Sequence, residues 1–129
     1  MSTPDVELRL PPGGAYVVLL RTLTAGLAAR LDFTLEEIED ARVCVGEAAA
    51  LALEAASPDS DLHTAFDLAP GRLTMTVSVD ESDGPAPLDE TSFAWTLLTT
   101  LAEATCVSED GRRSITVVAT SQIGSPSPA

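Results

Sequence analysis

Glu36-Glu37-Ile38-Glu39-Asp40-Ala41-Arg42-Val43-Cys44-Val45-Gly46-Glu47-Ala48-Ala49-Ala50-Leu51-Ala52 is the stretch that decides the fold. Acids crowd its start, where the positive end of a helix dipole favours them. Thr34 stands ahead of them as an N-cap, and Glu37, three residues on, completes a capping box. Ile38, Ala41, Val45, Ala48, Ala49 and Ala52 then carry the pattern to about Ala56, the second half nearly all alanine and leucine. A helix apolar on most sides must be buried on most sides, so this one belongs in the core. Its alanines would let a sheet or a second helix approach closely.

Upstream, Val6-Glu7-Leu8-Arg9-Leu10 alternates apolar and polar residues as a half-buried strand does, and Pro11-Pro12-Gly13-Gly14 breaks it. From Ala15, the positions Val18, Leu19, Leu23, Gly26, Leu27 and Leu31 recur by threes and fours. They predict an amphipathic helix with Arg21 and Arg30 off its apolar face. Downstream, Ser57 to Asp61 is a turn. Leu62 to Leu68 and Leu73 to Val79 read as two strands of an antiparallel hairpin around Ala69-Pro70-Gly71-Arg72. Leu73, Met75, Val77 and Val79 share one face by the two-residue period. After a Pro- and Gly-containing acidic loop, Asp80 to Glu90, a third helix starts near Thr91, capped by Thr91 or Ser92. It carries Phe93, Trp95, Leu97, Leu98, Leu101 and Ala102. Thr105 to Ser108 and Ser114 to Ala119 close the chain as strands around a tight turn, Glu109 to Arg112. The order β-α-α-β-β-α-β-β suits a two-layer α+β sandwich: about five mostly antiparallel strands with three helices on one face. The other face would carry Arg9, Thr64, Thr74, Thr76 and Thr116 and could be solvated.

The chain has 129 residues, enough for one domain, here expected over residues 1–120. Ser121 to Ala129 is Ser/Pro-rich and reads as a frayed tail. Twenty acids face seven arginines and no lysine, for a net charge of -13. That balance speaks against a nucleic-acid partner and against an anionic membrane surface, and favours basic protein partners or simple solubility. No segment is apolar for long enough to span a bilayer, and Met1 to Glu7 is too polar and acidic for a signal peptide. Cys44 and Cys106 fall inside apolar patterns and read as buried thiols of a cytoplasmic protein. With a single histidine, His63, neither a structural zinc site nor a Ser-His-Asp triad is indicated.

Two places could hold chemistry. Glu47 is a lone carboxylate in an apolar stretch, costly to bury unless it is paired or used, and suited to a general base. The bland alternative places it on a narrow polar stripe with Glu36, Asp40 and Glu54. The second place is Asp80-Glu81-Ser82-Asp83-Gly84, an acid at a strand end followed by a turn whose glycine lets a ligand approach the backbone. Any acidic surface loop can look the same.

Together the element order and the phrase from Glu36 to Ala48 resemble the bacterial anti-sigma-factor serine kinases (RsbW-like) of the GHKL ATPase/kinase superfamily, over about Val6 to Thr120. The segment from Ser92 to Ala102 is similar to the closing helix of actinobacterial members. The resemblance implies a Bergerat-type fold, with Glu47 as the base that activates a serine on an antagonist protein. Four residues on, where the family places an asparagine that holds the magnesium of Mg-ATP, stands Leu51, which offers a cation no side-chain oxygen. The family's Asp-x-Gly-x-Gly turn is matched by Asp80 and Gly84, the adenine-side acid and the second glycine, while Ser82 replaces the first glycine. The glycine-rich phosphate turn is replaced around Glu90 to Ala94, and the lid, Asp83 to Glu90, holds no arginine or lysine.

What the resemblance implies is therefore a regulatory binder of a sigma factor, of an anti-anti-sigma (STAS) protein, or of both. No metal is expected, ATP binding is absent or weak, and kinase activity is weakened or lost. Tyr16, Arg21 and Arg30 of the first helix would lie in the partner interface, and a homodimer is expected. Two rival readings stand beside it. One is an active Mg-ATP-dependent serine/threonine kinase using Glu47. The other is an acidic secretion-type chaperone, although such chaperones usually begin with a helix rather than a strand.

Overall fold

The two-residue period of the strands and the three-to-four period of the helices fold into eight elements. The structure, a computed structural model, describes residues 3–85 and 87–122. The elements are β1 (Val6–Leu10), α1 (Gly14–Arg30), α2 (Leu35–Leu53), β2 (Leu62–Ala69), β3 (Arg72–Asp80), α3 (Phe93–Leu101), β4 (Glu103–Glu109) and β5 (Arg112–Thr120). They form the expected α+β sandwich, a five-stranded sheet with α2 packed against β3, β5, α1 and α3. Strand order is β1-β2-β3-β5-β4, with every neighbouring pair antiparallel.

Register explains the core. Met75 lies between Phe66 and Val117, and Val77 between Thr64 and Ile115. These apolar residues are fully buried under the helices. On the opposite face the strands carry hydroxyls, and Thr76 meets Thr116 at 3.2 Å while Ser78 meets Ser114 at 3.0 Å. Thr64 is a correction. It shares parity with Leu62 and Phe66, faces the helices and is 1% exposed. Both hairpin turns use left-handed backbone. Asp110 and Gly111 have φ of 53° and 74°, the positive pair that a two-residue turn between twisted strands needs.

α2 begins where expected. The Thr34 hydroxyl accepts from the Glu37 amide, and the Glu37 carboxylate accepts from the Thr34 amide at 2.8 Å. It ends at Leu53, short of the expected Ala56. Ala41, Cys44, Val45, Gly46, Ala48, Ala49, Leu51 and Ala52 are all buried, as the alanine-rich pattern requires. α1 differs in phase from the sequence reading. Its buried row is Val17, Leu20, Thr24 and Ala28, while Val18 and Leu19 are 58% and 54% exposed. The small residues of α2 leave room for Thr24 inside, where its hydroxyl donates to the Leu20 carbonyl at 2.8 Å. In α3, capped by Ser92, Leu98 is fully buried, but Phe93 faces outward. Cys44 is a buried free thiol, whereas Cys106, expected to be buried too, is only half so.

The frayed tail does not begin at Ser121. The Ser121 hydroxyl donates to Glu37 at 2.7 Å, the Gln122 amide donates to Glu37 at 3.0 Å, and the Ser121 amide bonds the Gly71 carbonyl. The remainder of the expected tail, residues 123–129, lies outside the described residues. Glu37 therefore fastens the exit of β5 to the start of α2. Bonds from the Thr34 amide first, then from Ser121 and Gln122, hold its carboxyl down at about 2.

A carboxyl lowered on folding adds stability that is complete above its unfolded value of 4.5 and is lost as the pH falls through about 2. Glu37→Ala should lower stability by about 1–2 kcal/mol at neutral pH, through the lost cap and tail bonds. Chemical denaturation of both proteins from pH 7 downward should show the gap closing between about pH 4.5 and 2.

Candidate functional site

The loop after β3 is tied to the end of α2. The Ser57 amide donates to the Asp80 carbonyl at 2.8 Å, and the Ser82 amide donates to the Ala55 carbonyl at 2.8 Å. Buried Ser60 accepts from the Asp80 amide through its hydroxyl, also at 2.8 Å. These bonds carry Asp80-Glu81-Ser82 alongside the C-terminal end of α2. Asp80 itself turns outward. Its side chain is 65% exposed and accepts from Arg112, opposite it on β5, at 3.0 Å. Gly84 is exposed and uses its freedom at φ 63°, with open space where a Cβ would stand.

Beside this loop is a cavity of about 350 Å³. Pro85, Pro87, Leu88, Trp95 and Cys106 give it apolar walls, and Glu81, Glu90, Ser108 and Arg113 supply its polar groups. The Ser108 hydroxyl donates to the Glu81 carboxylate. Arg113, 2% exposed, reaches inward from β5, and its Nη1 donates to the Leu51 carbonyl at 3.4 Å. Burial, and then the Glu81 and Glu90 charges, push the Cys106 thiol up, against the opposing pull of Arg113. This thiol is thus not activated as a nucleophile.

Glu47 lines a different recess. A cleft of about 190 Å³ at the seam of α1 and α2 is bounded by Arg21, Glu39, Arg42, Val43 and Glu47. Glu47 is half-buried and falls on the outer side of α2 with Glu36, Asp40 and Glu54, the polar stripe weighed from the sequence. Arg42 is engaged with Glu39 at 3.0 Å. Inward of this stripe, burial first and then Asp40 and Glu47 push the Cys44 thiol up to about 11.

The residues singled out from the sequence are therefore spread over separate surfaces. Glu47 is with Arg21; Asp80 and Gly84 are on the loop; Leu51 is buried against Arg113. Tyr16, Arg21 and Arg30 are all exposed on α1. Nine residues separate Arg21 from Arg30, which sets them about half a turn out of phase. Arg30 lines another recess, with Leu31, Asp32 and the β2–β3 turn. His63, half-buried, meets Glu7 at 3.1 Å. Sequence reasoning passed over Arg113, whose burial is legible only from its parity with Ile115 and Val117. It also passed over Val18 and Leu19 as outward-facing residues.

The donor set here does not suit Mg-ATP. Leu51 has no side-chain oxygen, and its carbonyl already accepts from a guanidinium, so this position offers a magnesium ion no ligand. Among the described residues no three His, Cys, Asp or Glu side chains gather as a metal site requires. Among them too, no helix is long and apolar enough to cross a membrane.

No family model matches the chain. It is similar to the serine-protein kinase RsbW of Bacillus subtilis, with 31% identity over 81 residues, 60% of this chain and 50% of the relative. It is also similar to the anti-sigma-F factor RsbW of Mycobacterium tuberculosis, with 30% identity over 110 residues, 84% of this chain and 64% of the relative. The serine-protein kinase RsbW of Staphylococcus aureus matches at 28% over 82 residues, 60% of this chain and 51% of the relative. The matched span thus covers between half and somewhat under two thirds of these relatives.

Arg113→Ala should cost about 2 kcal/mol, because it strips a buried carbonyl of its donor and opens a void beneath the cavity. Urea unfolding of the two proteins measures the difference. An unchanged midpoint would mean that the guanidinium contributes nothing to holding α2 against β5.

Proposed function

We propose that the chain, RsbW-like by its similarity to these relatives, works as an anti-sigma-type regulator that binds polypeptides and has weakened or lost phosphotransfer. The partners we assign are a sigma factor, an anti-anti-sigma (STAS) protein, or both. The observation that carries this reading is Leu51, buried where the resemblance calls for an asparagine and bonded through its carbonyl to Arg113. Transfer of a phosphoryl group depends on neutralising the charge of the phosphates, and the Leu51 side chain offers a divalent ion no oxygen.

Binding uses other surface. α1 turns Tyr16, Val18 and Leu19 outward at 41%, 58% and 54% exposure, with Arg21 at the seam with α2 and Arg30 on the outer side. Exposed apolar groups beside arginines suit a protein interface. The net charge of -13 adds long-range attraction for a sigma factor, whose nucleic-acid-binding faces are basic. We assign the protein to the cytoplasm, as a homodimer in a single-domain unit.

Trp95 is the sole tryptophan and lines the cavity, so its fluorescence reports occupancy. Titration with Mg-ATP to millimolar concentration should leave its emission unchanged, and calorimetry should show no heat of binding. A purified sigma factor from the same genome should bind, and Val18→Asp together with Leu19→Asp should weaken that binding at least tenfold without lowering the melting temperature. Saturable Mg-ATP binding, with phosphate passed to a STAS-protein serine and lost in Glu47→Ala, would replace this reading with the active kinase.

A further inference from the structure

Resting on the reading of α1 as an interface, we propose that Gly46 is a positioning residue. Its bare Cα lets the Arg21 guanidinium lie across α2 and stand in the seam cleft beside Glu47, where it meets a carboxylate of the partner polypeptide. A Cβ on Gly46 would fall 2.6 Å from Arg21 Nε, 2.9 Å from Nη2 and 3.1 Å from Cζ. Three atoms of one planar group at these distances place the guanidinium over the Cα rather than grazing it with one end. Gly46 is buried in the middle of a helix, where glycine is a poor choice against alanine unless something occupies the space of the methyl. Gly26, in the middle of α1, has no atom within 4 Å of where a Cβ would stand, so crowding does not explain it. The contact at Gly46 is specific to the seam.

The cleft gives this seat a use. Arg42 is taken up by Glu39 at 3.0 Å, which leaves Arg21 and Glu47 as its two charges outside any ion pair among the described residues. On a chain of net charge -13, a near-neutral recess that holds a guanidinium is a place where an acidic side chain meets little repulsion. A guanidinium offers a carboxylate two parallel hydrogen bonds.

The test is a cycle of four chains: wild type, Gly46→Ala, Arg21→Ala and the double variant. With Arg21 removed, Gly46→Ala should raise the melting temperature by roughly 3 °C, the gain of helix propensity alone. With Arg21 present, the same change should give a smaller gain, because the guanidinium must move aside. Gly26→Ala is the control and should raise the melting temperature equally in both backgrounds. An equal shift from Gly46→Ala in both backgrounds would overturn the seat. Affinity for a purified sigma factor is the second measurement. Gly46→Ala should weaken it about tenfold when Arg21 is present and not further when it is absent. No loss, or an equal loss in both backgrounds, would overturn the positioning role. A wild-type chain that binds no sigma factor would defeat the interface reading and the partner half of this proposal, while the melting cycle alone still decides whether Gly46 seats Arg21.

Discussion

Everything in this molecule is arranged around how close α2 can come to its neighbours. Its inward side is alanine, glycine, cysteine and valine, with Leu51 as the one larger residue. Small side chains let the helix settle against β3 and β5 while α1 and α3 close in from the flanks. The large apolar groups of the core come from the sheet instead, from Phe66, Leu73, Met75, Ile115 and their neighbours. Close packing of this kind tolerates little added volume. It also fixes the orientation of what remains on α2, because a helix buried on most of its circumference cannot roll. Glu47 is thereby fixed toward the α1 seam, while Asp40 of the same stripe lines a recess with Leu101 and Ala119.

Charge follows the same geometry. Most of the acids lie on the surface, where water screens them. Arg113 is the exception among the cations, drawn inward by β5 to the Leu51 carbonyl. Its guanidinium lies within the wall of the cavity. The outer face of α1 is the reverse case. From Gly14 to Arg30 it has no acid at all and only two arginines, on a chain that is otherwise strongly acidic. The protein thus shows partners a strong negative field at long range and an almost acid-free, partly apolar helix at contact.

Much of this was legible in the residues. The capping box at Thr34 and Glu37, the alanine run, and the two-residue period of β3 each depend on neighbours close in sequence, and each is present as read. The failures share a different cause. The phase of α1 was set by which of two overlapping apolar rows meets α2, and both rows contain leucines. Thr64 was grouped with the polar residues by type, although parity with Leu62 and Phe66 puts it inward. Arg113 and Ser121 take their places through contacts 62 and 84 residues away in sequence, which no local pattern carries. For the candidate site, the identities of Glu47, Leu51 and Asp80 could be read, but not that they open onto different surfaces.

That separation bears on how such a protein can change its work. Glu47 and Leu51 are one helical turn apart, yet the first opens onto the α1 seam and the second is buried against β5. A change among the residues that line the cavity leaves the seam untouched, because the two share no lining residue and the buried body of α2 stands between them. The converse holds for Arg21, which rests on α2 over Gly46 and is not among the residues that line the cavity. Two surfaces insulated by one rigid helix can drift independently. A change in the chemistry of the cavity side therefore leaves the seam side as it is, and a change at the seam leaves the cavity as it is, since each has its own lining.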